Sequence, residues 1–239
     1  MSETQAQRRG GVGVAIVGGL VGATVMAAVL LLAAPELIGS RIVRAGILAD
    51  PQVLVDGSDS LRDQQYAPVL AAHRAAIETP FETSWKGASK PDVTLVEFFD
   101  YACSYCKASN PHIDRLLKED PGLRIVYREL PILGAPSVAA ARISLAASKA
   151  GRFAQFHDAL WAAGRPSEQT IAAAASASGL PENLAQNPEA EAEIQKNFQL
   201  AETLGATGTP LFVVGNRVMN SAVGYDALKQ AIEQARAKG

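Results

Sequence analysis

Residues 93–106, VTLVEFFDYACSYC, decide the fold. The first seven are apolar or β-branched except for Glu97, and such a nearly continuous apolar run is typical of a strand that is buried on both faces of a sheet. The pattern that follows predicts a helix that begins around the cysteines and continues to about Lys118. Cys103 and Cys106 therefore lie where a buried strand passes into a helix.

The two cysteines are the only ones in the chain, and they are separated by two residues. At a helix N-terminus, unpaired backbone N–H groups and the helix dipole favour a thiolate at Cys103, and Cys106 lies about one turn further on, within bridging distance. The spacing predicts a redox pair, with Cys103 as the exposed nucleophile of low pKa and Cys106 as the buried resolving thiol. An inert bridge across so short a loop would stabilise little, and a closed metal site would need two further ligands.

Composition excludes several classes of protein. The 239 residues include 22 basic and 24 acidic side chains, and a formal net charge of -2 argues against a nucleic-acid partner of the usual basic kind. Two cysteines and three histidines exclude a disulfide-stapled scaffold and leave little for a structural zinc site. We expect neither a metal nor an organic cofactor, because the cysteine pair is itself the redox centre.

The N-terminal region predicts attachment to a membrane. Residues 12–34 contain no charged side chain, and a run of that length can cross a hydrocarbon core of about 30 Å. Arg8 and Arg9 precede the run, so residues 1–11 are predicted to stay in the cytoplasm and the chain after residue 35 to be exported. A cleaved signal sequence is the alternative, but its apolar part is usually only about 7–15 residues long.

Residues 35–80 predict a helical extension that cannot build a core of its own. Apolar side chains recur at helical spacing, and Pro68 is expected to break or kink the second helix. Short amphipathic helices of this kind must pack against the main domain or against copies of themselves, so residues 35–80 are a candidate for homo-oligomerisation. Residues 81–91, rich in small and turn-forming side chains, predict a linker.

Residues 92–239 predict one α/β domain. Its order is strand, helix, strand, an alanine-rich helical block at about 137–204, a two-strand hairpin and a closing helix. The helical block lies between the second strand and the hairpin. The sequence therefore predicts an α/β domain with an all-helical insertion.

The segment FFDYACSYCK at residues 98–107 resembles the active-site stretch of DsbA-type thioredoxin-fold oxidoreductases. Five further landmarks agree with the resemblance, which covers roughly residues 92–237. They are Glu97 six residues before Cys103, Pro111 five after Cys106, the segments 127–134 and 153–160, and Gly208-Thr209-Pro210. The resemblance implies a thioredoxin fold that contains the helical insertion.

The resemblance also implies roles for individual residues. Glu97 would be a buried acid that relays a proton to or from Cys106, and Thr209 and Pro210 would form a cis-proline loop opposite the cysteines. Ser104 and Tyr105, between the cysteines, would contact substrate together with that loop. The implied partners are exported proteins with thiols or disulfides and a membrane redox partner of the DsbB or DsbD kind, which places the protein in the periplasm at the inner membrane.

Two features of the sequence adjust this expectation, one a departure from the strongly oxidising relatives and one a further resemblance. Those relatives carry Pro-His between the cysteines where this chain has Ser104-Tyr105, so we expect a milder oxidant. Residues 36–80 resemble the N-terminal extension of the suppressor-of-copper-sensitivity C (ScsC) subgroup, whose members oligomerise and can act as isomerases.

The main expectation is a membrane-anchored periplasmic thiol–disulfide oxidoreductase. An isomerase or reductase kept as the dithiol, a Cu(I)-binding copper-resistance protein and a chaperone with incidental cysteines are the alternatives.

Overall fold

The computed structural model describes residues 39–181 and 188–238. The chain divides into two compact units, residues 1–58 and residues 59–239. The predicted cytoplasmic N-terminus and membrane anchor at residues 1–34 lie outside the described residues. Within the part of the chain that the structure describes, no helix has both the length and the apolar character needed to cross a membrane.

Thirteen elements follow one another in the described residues. The helices are α1 Gly39–Ala49, α2 Gln52–Glu78, α3 Ser104–Glu119, α4 Ala135–Lys149, α5 Phe153–Ala163, α6 Glu168–Ala177, α7 Pro188–Thr203 and α8 Tyr225–Lys238. The strands are β1 Trp85–Gly87, β2 Val93–Phe99, β3 Leu123–Glu129, β4 Leu211–Val214 and β5 Arg217–Met219. Helices α4 to α7 lie between β3 and β4, at the position of the predicted helical insertion.

The five strands form one sheet in the order β1-β3-β2-β4-β5. Strands β2 and β3 are parallel, with Glu97 opposite Tyr127, and they are joined by α3. Strand β4 runs antiparallel to β2, and β1 and β5 are antiparallel edge strands. This mixed sheet, with helices between its strands, confirms the predicted thioredoxin-like α/β fold.

Alternation along the central strands gives the sheet two apolar faces. One face buries Leu95 and Phe99 against α3 and α8, and the other buries Val96 and Phe98 against α2 and α7. Both faces are covered, which is why β2 reads as an almost continuous apolar run. The end of β2 thereby holds the start of α3, with its two cysteines, in a fixed position.

The predicted linker at residues 81–91 is wrong in part. Trp85–Gly87 forms strand β1, in which Lys86 pairs with Ile125 of β3. A strand of three residues shows no period in the sequence, and Gly87 suggested a flexible segment. Gly87 is instead required by close packing, because its φ is +98° and a Cβ there would lie 2.3 Å from the carbonyl oxygen of Leu123.

Pro68 does not break helix α2, which contradicts one of the two outcomes that the sequence predicts, a break or a kink. The helix continues from Gln52 to Glu78, with Pro68 inside it. A proline in a helix removes one backbone hydrogen bond, and that loss must be offset elsewhere. Leu70 and Ile77, each 1% exposed, pack against the sheet and supply the offset.

Candidate active site

Cys103 is the N-cap residue of α3. Its φ of -80° and ψ of 117° are extended, as an N-cap requires, and its Sγ accepts a hydrogen bond from the backbone N–H of Cys106 at 3.4 Å. Both cysteines are free thiols in this structure. The predicted exposure of Cys103 is wrong in degree, since the residue is only 6% exposed, whereas Cys106 is 0% exposed.

The surroundings of Cys103 lower the pKa of its thiol to about 5. The hydrogen bond with the Cys106 thiol is the largest cause. Hydrogen bonds from Thr209 and from the backbone N–H groups of Cys106 and Tyr105 add to it, while burial acts against them. Cys103 is therefore a thiolate at neutral pH, the form in which a cysteine attacks a disulfide and departs from one.

Cys106 has the opposite character. Burial is the largest cause that raises the pKa of its thiol, and the hydrogen bond with Cys103 and the negative charge of Glu97 act in the same direction. The two thiols share one helical turn, yet one ionises readily and the other holds its proton. Cys103 is therefore the more nucleophilic of the two sulfurs at neutral pH, and Cys106 is the one that keeps its proton.

Glu97 lies in β2 with 1% of its surface exposed. Within residues 39–181 and 188–238, its Oε1 has no hydrogen-bond partner. Burial raises the pKa of Glu97 to about 8, with a smaller contribution from the Cys103 thiolate and an opposing one from the positive charge of Lys86. A carboxyl group of this pKa holds a proton at neutral pH and can transfer it to a neighbouring base.

Thr209 and Pro210 lie opposite the cysteines. The peptide bond between them is cis, and the Cys103 thiol, when protonated, donates a hydrogen bond to the Thr209 carbonyl oxygen at 3.2 Å. Pro210 is buried, and this loop explains why Cys103 is less exposed than the sequence suggested. Ser104 and Tyr105 are both exposed, and the ring of Tyr105, 67% exposed, offers an apolar surface beside the thiol.

The structure thus brings together all seven residues that the sequence proposes for the site. They are Glu97, Cys103, Ser104, Tyr105, Cys106, Thr209 and Pro210.

Two residues at the site were missed by the sequence. Asp100 accepts backbone hydrogen bonds from three residues around the active-site turn. Its position before a turn, where aspartate side chains often bond the backbone, was the available signal. Lys86 was hidden in the predicted linker, and its ammonium group pairs with Asp158.

His157 lies behind the site as a neutral, packed side chain. Burial lowers its pKa to about 4, and its Nε2 accepts a hydrogen bond from the Trp161 indole N–H at 3.1 Å. Its ring stacks at a tilt on that of Tyr127, with centroids 4.6 Å apart. Tyr127 lies opposite Glu97 in the sheet, so this aromatic cluster adjoins the strand position of the buried carboxyl.

Residues 94–233 match the family model described as the DSBA-like thioredoxin domain. A thioredoxin-like oxidoreductase of Silicibacter pomeroyi is 37% identical with a TM-score of 0.65, over 69% of this chain and 98% of that one. Proteus mirabilis ScsC in a transitional conformation is 25% identical with a TM-score of 0.68, over 87% of this chain and 99% of that one. Disulfide bond formation protein D of Bacillus subtilis is 26% identical, over 62% of this chain and 74% of the relative.

The chain also matches part of two larger curated proteins. They are Na(+)/H(+) antiporters NhaA of Salinispora tropica and Salinispora arenicola, 30% and 31% identical, and the chain spans 24% of the length of each. The family model, by contrast, matches more than half of this chain and includes both cysteines, Glu97 and the Thr209-Pro210 loop. The chain belongs to the DSBA-like thioredoxin domain family.

Proposed function

We propose that the protein exchanges disulfides with exported proteins in the periplasm through Cys103 and Cys106. The observation that carries the proposal is the contrast between the two thiols, one with its pKa lowered to about 5 and the other with its pKa raised by burial. A low-pKa sulfur is a good leaving group, so a disulfide that includes Cys103 is readily exchanged.

Oxidation of a substrate would proceed in two steps. A substrate thiolate attacks Cys103 in the Cys103–Cys106 disulfide, forms a mixed disulfide and releases Cys106, which takes up a proton. A second substrate thiolate then attacks the substrate sulfur of the mixed disulfide and releases Cys103 as a thiolate. The substrate loses two electrons and two protons, the protein pair gains the two electrons, and one proton passes to solvent.

Glu97 would serve the proton transfer of the first step. Its carboxyl is protonated at pH 7 because its pKa is raised to about 8, and once it ionises its negative charge is one of the causes that raise the Cys106 pKa. The proton that Cys106 needs can therefore come from Glu97, and solvent restores it. In the reverse reaction Glu97 accepts the proton from Cys106.

Substrate would lie along the Thr209-Pro210 loop and the exposed Ser104-Tyr105 pair. The Thr209 carbonyl is already within hydrogen-bond distance of the reactive sulfur, so a polypeptide that pairs with this loop brings its own sulfur to Cys103. Tyr105 adds an apolar contact at the edge of the site.

The lowered pKa of Cys103 favours an oxidant of moderate strength. Stabilising the Cys103 thiolate stabilises the dithiol form, which makes the disulfide more oxidising. A pKa of about 5 for Cys103 predicts a reduction potential between roughly -120 mV, typical of a strong oxidant, and roughly -270 mV, typical of a reductant. Redox titration against glutathione measures this potential, and a value at or below roughly -270 mV would favour the reductase alternative.

Location and assembly follow from the N-terminal region. We place the catalytic domain in the periplasm, anchored in the inner membrane by residues 12–34, with a membrane partner of the DsbB or DsbD kind to restore the disulfide. We also propose homo-oligomerisation through residues 35–80. In support, α1 buries no residue and exposes Ile42, Val43 and Leu48, each at least 60% exposed. Light scattering on the full chain and on an Ile42→Ser, Leu48→Ser variant would test this assembly.

A pair of cysteine variants tests the catalytic assignment. Cys103→Ser should abolish the reduction of insulin disulfides and form no mixed disulfide with substrate. Cys106→Ser should also lose turnover but accumulate a mixed disulfide through Cys103, because the resolving thiol is missing. Near-normal activity in Cys103→Ser would show that the assignment is wrong.

A further inference from the structure

Asp100 is a buried carboxylate between the end of β2 and the reactive cysteine. Only 1% of its surface is exposed. Its Oδ1 accepts a hydrogen bond from the backbone N–H of Ala102 at 2.7 Å, and its Oδ2 accepts from the N–H groups of Ile132 and Leu133 at 2.9 Å each. The side chain therefore joins two segments of backbone that are about thirty residues apart in the chain.

The first segment is the turn that carries Cys103. The backbone carbonyl of Asp100 accepts a hydrogen bond from the Cys103 N–H at 2.9 Å, so main chain and side chain of one residue hold two successive N–H groups. This turn fixes the backbone of Cys103 in the extended conformation that directs its Sγ toward Thr209. The direction of the reactive sulfur thus depends on the turn that Asp100 closes.

The second segment is the loop between β3 and α4. Ile132 and Leu133 in this loop are 42% and 48% exposed. They present apolar surface at the second backbone segment that Asp100 holds. A polypeptide bound at Cys103 would extend over this surface, whereas a small disulfide would not.

We propose that Asp100 is a positioning residue for thiol–disulfide exchange, whose carboxylate locks the Cys103 turn and the Ile132–Leu133 loop into one unit. The thiol and the apolar loop then meet a protein substrate in a fixed arrangement. This role rests on the exchange chemistry proposed above, but the state of the Cys103 thiol can be measured without any substrate.

The charge of Asp100 and its hydrogen bonds act on Cys103 with opposite signs. A negative charge near a thiolate disfavours it, so removing the charge alone would lower the pKa of Cys103. Removing the three hydrogen bonds would let the turn move, and the backbone N–H groups and the Thr209 side chain that stabilise the thiolate would lose their alignment. A positioning role therefore predicts that the pKa of Cys103 rises when Asp100 is replaced.

The decisive experiment compares Asp100→Ala and Asp100→Asn in the full chain, in the dithiol form. Ultraviolet absorbance of the thiolate and the rate of alkylation by iodoacetamide report the pKa of Cys103. We expect a rise of about one unit in Asp100→Ala and a smaller rise in Asp100→Asn, because the amide keeps one acceptor oxygen in place. Glu202→Gln, which removes a carboxylate charge from an exposed residue of α7, is the matched control and should leave the pKa unchanged.

The sign of the shift decides the outcome. A fall of the Cys103 pKa, or no change, in both Asp100 variants would overturn the proposal. Asp100→Asn gives the sign by itself if the alanine variant does not fold. Absence of exchange activity in the wild-type protein would refute the proposed function, while the pKa measurement would still decide the role of Asp100.

A second measurement tests the loop. KM for a peptide disulfide with apolar flanking residues should rise by about fivefold in Asp100→Asn, and KM for glutathione disulfide should rise less, since only the peptide reaches the loop. An equal change for the two substrates would refute the part of the proposal that concerns Ile132 and Leu133.

Discussion

The two faces of the central sheet bury charged side chains in opposite ways. On the face toward α2 and α7, Arg128 is 1% exposed and its guanidinium donates to Glu193, Asn197 and the carbonyl oxygens of Ala76, Ile77 and Thr79. On the face toward α3 and α8, Glu97 is equally buried, but its Oε1 has no partner.

This difference separates a structural charge from one available to chemistry. The five acceptors around Arg128 offset part of what its burial costs, and they fasten the end of α2 to the sheet. Glu97 is uncompensated, so burial raises its pKa to about 8 and makes it a proton carrier near neutral pH. The comparison predicts large losses of stability on one face and changes of rate and pH dependence on the other.

The largest effect is expected from Arg128→Met. The substitution leaves Glu193 and Asn197 buried without their main partner, together with three carbonyl groups at the end of α2. Loss of one member of a buried ion pair typically costs about 3–5 kcal/mol, and urea unfolding would measure this cost. The pKa of Cys103 should not change, because the arginine side chain lies on the other face. A loss of unfolding free energy below about 1 kcal/mol would mean that Arg128 does not hold the fold together in the way that the comparison with Glu97 requires.

Glu97→Gln should slow catalysis by about 10²-fold while having a smaller effect on stability. Glutamine fills the same space but cannot give a proton to Cys106 or take one from it. Stopped-flow measurement of the exchange with a peptide disulfide isolates this step. Glu129→Gln is the matched control, since Glu129 is a second buried carboxyl on the same face with an unpartnered Oε1. A wild-type rate in Glu97→Gln would exclude the proton relay.

The slope of stability against pH should change in opposite directions in two variants. The pKa of Glu97 is raised from 4.5 to about 8, so the folded state retains a proton that the unfolded state loses, and this contribution to stability declines between pH 4.5 and 8. The pKa of Cys103 is lowered from 9.0 to about 5, so its contribution grows between pH 5 and 9. Each contribution has a slope of about 1.4 kcal/mol per pH unit, and in the reduced wild-type protein they largely cancel.

Unfolding by urea at several pH values between 5.5 and 7.5, under reducing conditions, would separate the two. Buried Glu129 and His157 also have shifted pKa values, but they contribute alike in the wild type and in both variants, so each slope is compared with that of the wild type. Glu97→Gln loses the Glu97 contribution, so its stability should rise more with pH than that of the wild type. Cys103→Ser keeps the Glu97 contribution, since burial is its largest cause, so its stability should fall more with pH than that of the wild type. Differences from the wild-type slope that have the same sign in the two variants would contradict the proposed ionisation states.

The sequence predicts the features of this site that depend on local pattern. The run of residues 93–99 and the spacing of the cysteines place Cys103 at a helix N-terminus, and the structure confirms that position. Glu97 and the Thr209-Pro210 loop came from the family resemblance, because nothing in their local sequence brings them to the cysteines. The burial that raises the Glu97 pKa requires the whole sheet.

Other features could not be predicted because their partners are distant in the chain. Asp100 bonds residues 132 and 133, and the partners of Arg128 lie at residues 76–79 and 193–197. Strand β1 is too short to show a period. Helix α2 passes through Pro68 only because its later residues pack on the sheet, a tertiary contact that overrides local propensity.

The smallest effect is expected from Arg74→Met, which tests whether burial of the charge sets the cost. Like Arg128, Arg74 links α2 to the rest of the domain, through the Gly215 carbonyl at 3.1 Å and Asn216 at 2.8 Å, and it pairs with Glu78 at 2.8 Å. Its side chain is 39% exposed, so water replaces the lost partners and the cost should stay below about 1 kcal/mol. Urea unfolding of Arg74→Met and Arg128→Met under the same conditions compares the two losses of stability. Similar losses in the two variants would mean that the number of hydrogen bonds to α2, and not the burial of the charge, determines how firmly the helix is held.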